Sequence, residues 1–170
     1  MFPDDANQQN VAAEYLRLKA ANDELRERGK LWLWMALERL CAEVNQQLTI
    51  QPDGQLLQTG VQPWQFEIST DVGKATMTGE RFGIRYRGQT LITEIGWPQR
   101  PEHGFIPSSG LARGRVRFSP NVMLEPLTKA ELVLKRNSGD AVWHVLNNKQ
   151  AGALVTEQVL RPFLELVLKI

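Results

Sequence analysis

Phe82-Gly83-Ile84-Arg85-Tyr86-Arg87-Gly88-Gln89-Thr90-Leu91-Ile92-Thr93-Glu94-Ile95 is the stretch on which the reading of the fold rests. Phe82, Ile84 and Tyr86 alternate with Gly83, Arg85 and Arg87, the period of a half-buried strand. Gly88-Gln89 suits a two-residue hairpin loop with glycine first. That loop predicts Arg87 opposite Thr90, Tyr86 opposite Leu91, Ile84 opposite Thr93 and Phe82 opposite Ile95. Phe82, Ile84, Tyr86, Leu91 and Ile95 then share one face, as a core face requires.

The same period extends in both directions. Upstream, Trp64, Phe66 and Ile68 alternate with polar residues, and Asp71-Val72-Gly73 turns that strand into residues 74–78. Downstream, a strand over 112–118 sets Val116 and Phe118 against Arg113, Arg115 and Arg117. Strands 131–136 and 141–146 flank the loop Asn137-Ser138-Gly139-Asp140, which pairs Leu134 with Trp143 and Leu132 with Val145. This makes about seven short strands joined as a meander. The period changes from helical to strand at the turn signal Gln51-Pro52-Asp53-Gly54.

Helices bracket the strands. Residues 7–28 are rich in helix formers, and Leu33, Leu37, Leu40, Val44 and Leu48 form an apolar stripe over 30–48. Gly29 between them predicts a break or bend. At the other end Val159, Leu160, Phe163, Leu166, Val167 and Ile170 make an amphipathic helix. Thr156 is its candidate N-cap, and Pro162 places the regular start near Arg161. Strands grouped together with helices set apart imply an α+β fold. The expected parts are a long N-terminal helical segment, an antiparallel meander sheet and a short C-terminal helix packed on the sheet. The domain reading is a helical arm over 1–29 and one α+β domain over 30–170. Leu37, Leu40, Val44, Phe66, Ile84, Trp143 and Phe163 are expected to be buried together.

At 170 residues, 42% hydrophobic and 23% charged, the chain has the composition of a globular protein rather than a disordered one. No secretory signal or membrane-spanning stretch is recognised, so a cytoplasmic protein is expected by elimination. Cys41 has Leu37 and Leu40 as helical neighbours and reads as a buried structural thiol. Charge is uneven: residues 1–72 carry 6 Lys/Arg against 11 Asp/Glu, and residues 73–136 carry 11 against 5.

Several groups are candidates for function. Val11, Leu18 and Leu25 recur every seven residues with Tyr15 and Asn22 between them, a pattern that fits the seam of a helical dimer. Arg85, Arg87, Arg113, Arg115 and Arg117 share one sheet face and suit an anionic partner, although Glu94 lies diagonal to Arg85 and aromatics are missing from that face. The irregular stretch 97–110 offers Trp97, Glu102, His103 and Phe105 as a binding loop. Ser108 and Ser109 beside His103 invite a hydrolase reading, but no nucleophile elbow is present. His103, His144 and Cys41 stand at no metal-ligand spacing, and no cofactor motif occurs. The leading expectation is therefore a non-enzymatic binding or adaptor protein, dimeric through its helices, with a protein or polyanion as further partner and no membrane association. A small-molecule-binding domain with a pocket between sheet and helix is the alternative, and a hydrolase using the 97–110 loop is the third.

Overall fold

Good helix formers run almost unbroken from the start of the chain, and they make one helix. The computed structural model describes residues 3–48 and 54–169. Helix α1 spans Pro3–Leu48, 46 residues, about 69 Å long at 1.5 Å per residue. Strands β1 (Leu57–Thr70), β2 (Gly73–Tyr86), β3 (Gln89–Trp97), β4 (Ala112–Ser119), β5 (Leu127–Asn137), β6 (Asp140–Asn147) and β7 (Gln150–Leu154) follow, then helix α2 (Glu157–Leu168). Among the described residues the strands form one seven-stranded antiparallel sheet in sequential order. The chain is thus α+β, as its pattern of elements implies. The Gln51–Asp53 part of the expected turn lies outside the described residues, as does Ile170.

Gly29 does not break α1. It lets the helix pack closely on β5 and β6. A Cβ there would stand 2.6 Å from Leu134 Cδ2, and the Gly29 carbonyl accepts a 2.8 Å hydrogen bond from Trp143 Nε1. Glycine here trades helix propensity for close approach. Next to it Lys30 Nζ donates to Glu80 Oε1 at 3.0 Å, and about one turn on Trp34 Nε1 donates to Glu80 Oε2 at 3.2 Å. Burial pulls the Lys30 pKa down, but the bonds to Glu27 and Glu80 outweigh it and raise the value overall. Beyond this anchor Leu33, Leu37, Leu40 and Val44 are buried against the sheet face that carries Phe82, Ile84, Leu91 and Trp143.

The hairpins are right in kind and differ in detail. The β2–β3 turn is Arg87-Gly88, both at positive φ (48° and 82°), as a type I′ turn requires. Tyr86 therefore faces Gln89, Ile84 faces Leu91 and Phe82 faces Thr93. The expected register is off by two residues, which moves every pair but leaves each side chain on its expected face. Leu134 does pair with Trp143 and Leu132 with Val145, around a two-residue Ser138-Gly139 turn rather than a four-residue loop. The expected strands 74–78 and 82–87 are one 14-residue strand. The seventh strand is instead β7, exposed along its length.

Helix α2 starts at Glu157, not near Arg161. Thr156 caps it by accepting from the Val159 N–H, and Pro162 sits inside. Leu160, Leu164 and Val167 are its buried residues, with Phe163 half-buried, so Leu164 takes the place expected of Leu166. Arg161 to Glu43 at 2.6 Å and Arg39 to Glu157 at 3.0 Å tie α2 to α1.

If Gly29 is a contact point rather than a hinge, Gly29→Val drives a branched side chain into Leu134. The variant is expected to lose about 1–3 kcal/mol in urea denaturation. Ala21→Val, on an exposed part of the same helix, is expected to lose less than about 0.5 kcal/mol.

Candidate functional site

The second face of the sheet is built from the residues that alternate with the helix-facing ones. Strand pairing lines up Gln62, Arg81, Glu94, Arg115 and Glu131 as one row across β1 to β5. Glu94 is thus directly opposite Arg81 and Arg115 and not diagonal to Arg85, which pairs with Thr90. Its side chain is only 1% exposed. Arg115 Nε donates to Glu94 Oε2, and Arg117 reaches Glu94 Oε1 at 3.5 Å. Arg81 donates to Gln62 Oε1 at 3.0 Å and lies 3.9 Å over the Trp64 ring.

This face is not flat. Arg115 lies 4.7 Å over the Phe66 ring, although β1 and β4 are separated by β2 and β3. Three strand spacings alone amount to about 14 Å in a flat sheet. At the far ends, Asp71 in the β1–β2 turn pairs with Lys149 in the β6–β7 turn at 2.7 Å. Six spacings would be about 29 Å. The sheet therefore curls over its arginine face into a trough. Glycines permit the bend: Gly79 pairs with Gly96, and a Cβ on Gly79 would collide with the Ile95 carbonyl.

The curl turns much of the arginine face inward. The side chains of Arg113, Arg115 and Arg117 are 11%, 21% and 16% exposed. Arg85 shares the face and is exposed, whereas Arg87 leaves it for the turn and stacks 5.1 Å over Tyr86. Arg81 belongs to the set and was missed, because the sequence pattern ends one strand at residue 78 and begins the next at Phe82. Between the two ends of the trough lies a cleft of about 400 Å³, lined by Arg113, Glu131, Lys135 and Lys149 with Ile68, Val133 and Leu146. It opens on the side of the sheet opposite the helices. The expected pocket between sheet and helix is instead the place where Leu37, Leu40, Ile84 and Leu132 pack, each no more than 1% exposed.

The arm and the loop come together. Tyr15, Leu18, Asn22 and Arg26 of α1 line a groove of about 490 Å³ with Pro98, Arg100, Phe105 and Ile106. Asn22 accepts from Arg136 and Leu25 is buried at 5%, so these two seam residues pack on their own domain. Val11, Tyr15 and Leu18 remain exposed. Trp97 is buried, with Lys30 Nζ 6.0 Å from its ring, and does not join Phe105. Glu102 is exposed.

Catalytic chemistry finds little support in these positions. His103 Nδ1 is buried without a hydrogen-bond partner among the described residues, so nothing orients the ring as a general base requires. Burial, with Glu38 adding to it, pushes the Cys41 thiol up to about 11, far from thiolate chemistry. Among the described residues no group of three His, Cys, Asp or Glu side chains is placed to hold a metal ion, and no helix is long and apolar enough to cross a membrane. No known protein family, curated protein or solved structure matches the chain.

The row predicts a specific weakness. Glu94→Gln leaves Arg115 and Arg117 half-buried without their counter-charge and is expected to cost about 3 kcal/mol. An unfolding free energy from urea titration within about 0.5 kcal/mol of the parent protein's would show that the carboxylate does not hold the face together.

Proposed function

We propose that this chain is a non-enzymatic binding protein that pairs with a second copy through the free half of α1. One observation carries the reading. The helix stripe that seats Asn22, Leu25 and Gly29 on the domain continues outward as Leu18, Tyr15 and Val11, which are 51%, 63% and 66% exposed. Residues 5–21 are exposed on every side, a projection of about 25 Å. An apolar stripe that narrow suits a helix–helix seam.

The groove beside the arm supports the choice of partner. Its walls are the arm itself and the 97–110 loop, with Phe105 exposed at 60%. A second arm laid antiparallel about Tyr15 brings the acidic start of one helix, Asp5 and Glu14, to Lys19, Arg26 and Arg100 of the other. Such an arrangement is two-fold and self-complementary. A polyanion partner has less support, since Arg113, Arg115 and Arg117 are turned into the trough.

Sedimentation of the whole chain at micromolar concentration tests the proposal. The expected result is a dimer mass, with Leu18→Glu shifting the protein to monomer while its circular dichroism and melting transition persist. A parent chain that sediments as a monomer across that range would sink the reading.

A further inference from the structure

The cleft inside the trough holds an arginine with a buried donor that no described residue accepts. Arg113 has an 11% exposed side chain, and its Nε is buried with no hydrogen-bond partner among the described residues. Its nearest carboxylate, Glu131, stands at 3.9 Å, beyond hydrogen-bond length. A buried guanidinium Nε–H without an acceptor is costly unless something supplies one. Lys135 lines the same cleft and has no ion-pair partner among the described residues. Lys149, by contrast, is taken by Asp71 at the rim.

We infer that this cleft binds a small organic carboxylate, its two oxygens on the Arg113 guanidinium with Lys135 beside it, and its apolar body on Ile68, Val133 and Leu146. The fork of an arginine matches the two oxygens of a carboxylate. The lining mixes Glu67, Asp71 and Glu131 with the apolar Ile68, Val133, Leu146 and Ala151; the apolar part favours a single carboxylate with a hydrocarbon body over the more highly charged bare phosphate. The volume, about 400 Å³, falls in the usual range for small-molecule sites of about 300–1,000 Å³. The clasp between Asp71 and Lys149 bridges the two hairpin tips that frame the opening. Asn148 and Lys149 hold positive φ, 50° and 66°, as the two-residue turn between Asn147 and Gln150 requires. The site is independent of whether the arm pairs.

Phenylacetate, titrated into the whole protein with methyl and arginine Nε–H signals followed by NMR, tests it. Benzyl alcohol and inorganic phosphate serve as the neutral and the bare-anion probes. Phenylacetate is expected to give saturable shifts at Ile68, Val133, Leu146 and the Arg113 Nε–H, with benzyl alcohol about ten- to a hundredfold weaker. Arg113→Met is expected to abolish the shifts. Ala151→Trp, at the exposed rim, is expected to block entry even if the arginine variant fails to fold. Unmoved methyls at tens of millimolar phenylacetate, or undiminished binding by Ala151→Trp, would overturn the assignment. So would phosphate binding as tightly as phenylacetate, which would mean an anion hole with no place for an apolar body.

Discussion

A carboxylate removed from water organises this protein. Glu94 is buried near the middle of the sheet with Arg115 bonded to it and Arg117 at 3.5 Å. An isolated charge in that position is prohibitive, so the arginines must lie inward over the face rather than out into solvent. Their inward position brings guanidinium planes over Phe66, and Arg81 over Trp64. Ion pairs of this sort add little to stability beyond what well-packed apolar residues would give. They do make one curvature of the sheet much better than a flat one, because flattening strips the charges of their partners.

The two faces of the sheet have consequently different chemistry. The helix side is dry and apolar. It is fixed by close approach at Gly29 and by Glu80, which binds Lys30 and Trp34 of α1. The far side is concave and incompletely filled, and it mixes the charged row with Trp64, Phe66, Ile68 and Met77, so the aromatics expected to be missing from it are present. Rigid seating of α1 from Asn22 onward also explains how its first half is held as a projection. A free helix of that length is marginal in water, but extension from a formed helix avoids the cost of nucleation. The arm thus presents Val11, Tyr15 and Leu18 in a fixed direction.

Much of this was legible in the residues. Alternation marked the strands, and the apolar faces of β2 to β6 were assigned correctly because a register error of two preserves side-chain parity. Thr156 was readable as a cap, and Cys41 as a buried thiol. What escaped notice depends on contacts distant in sequence. Gly29 looks like a helix breaker until Leu134 is seen against it. Gly79 falls in a gap between two expected strands until the Ile95 carbonyl is seen where its side chain would go. Pro162 looks like a start signal, yet α2 already has its cap at Thr156. The β7 strand has no buried residue, so no hydrophobic period announced it. For the candidate site, the arginines of one face were visible. The curl that turns them inward was not, because Glu94 was read against Arg85 alone rather than against Arg81, Arg115 and Arg117.

The curl is the claim on which both the buried row and the cleft depend. It is tested most directly by proton–proton contacts between the Phe66 ring and the Arg115 side chain in the NMR spectrum of the whole chain. The account predicts clear cross-relaxation between them and upfield ring-current shifts of the Arg115 side-chain protons, given a guanidinium 4.7 Å over the ring. A sheet without the curl separates β1 and β4 by about 14 Å. Absence of both signals would contradict the account.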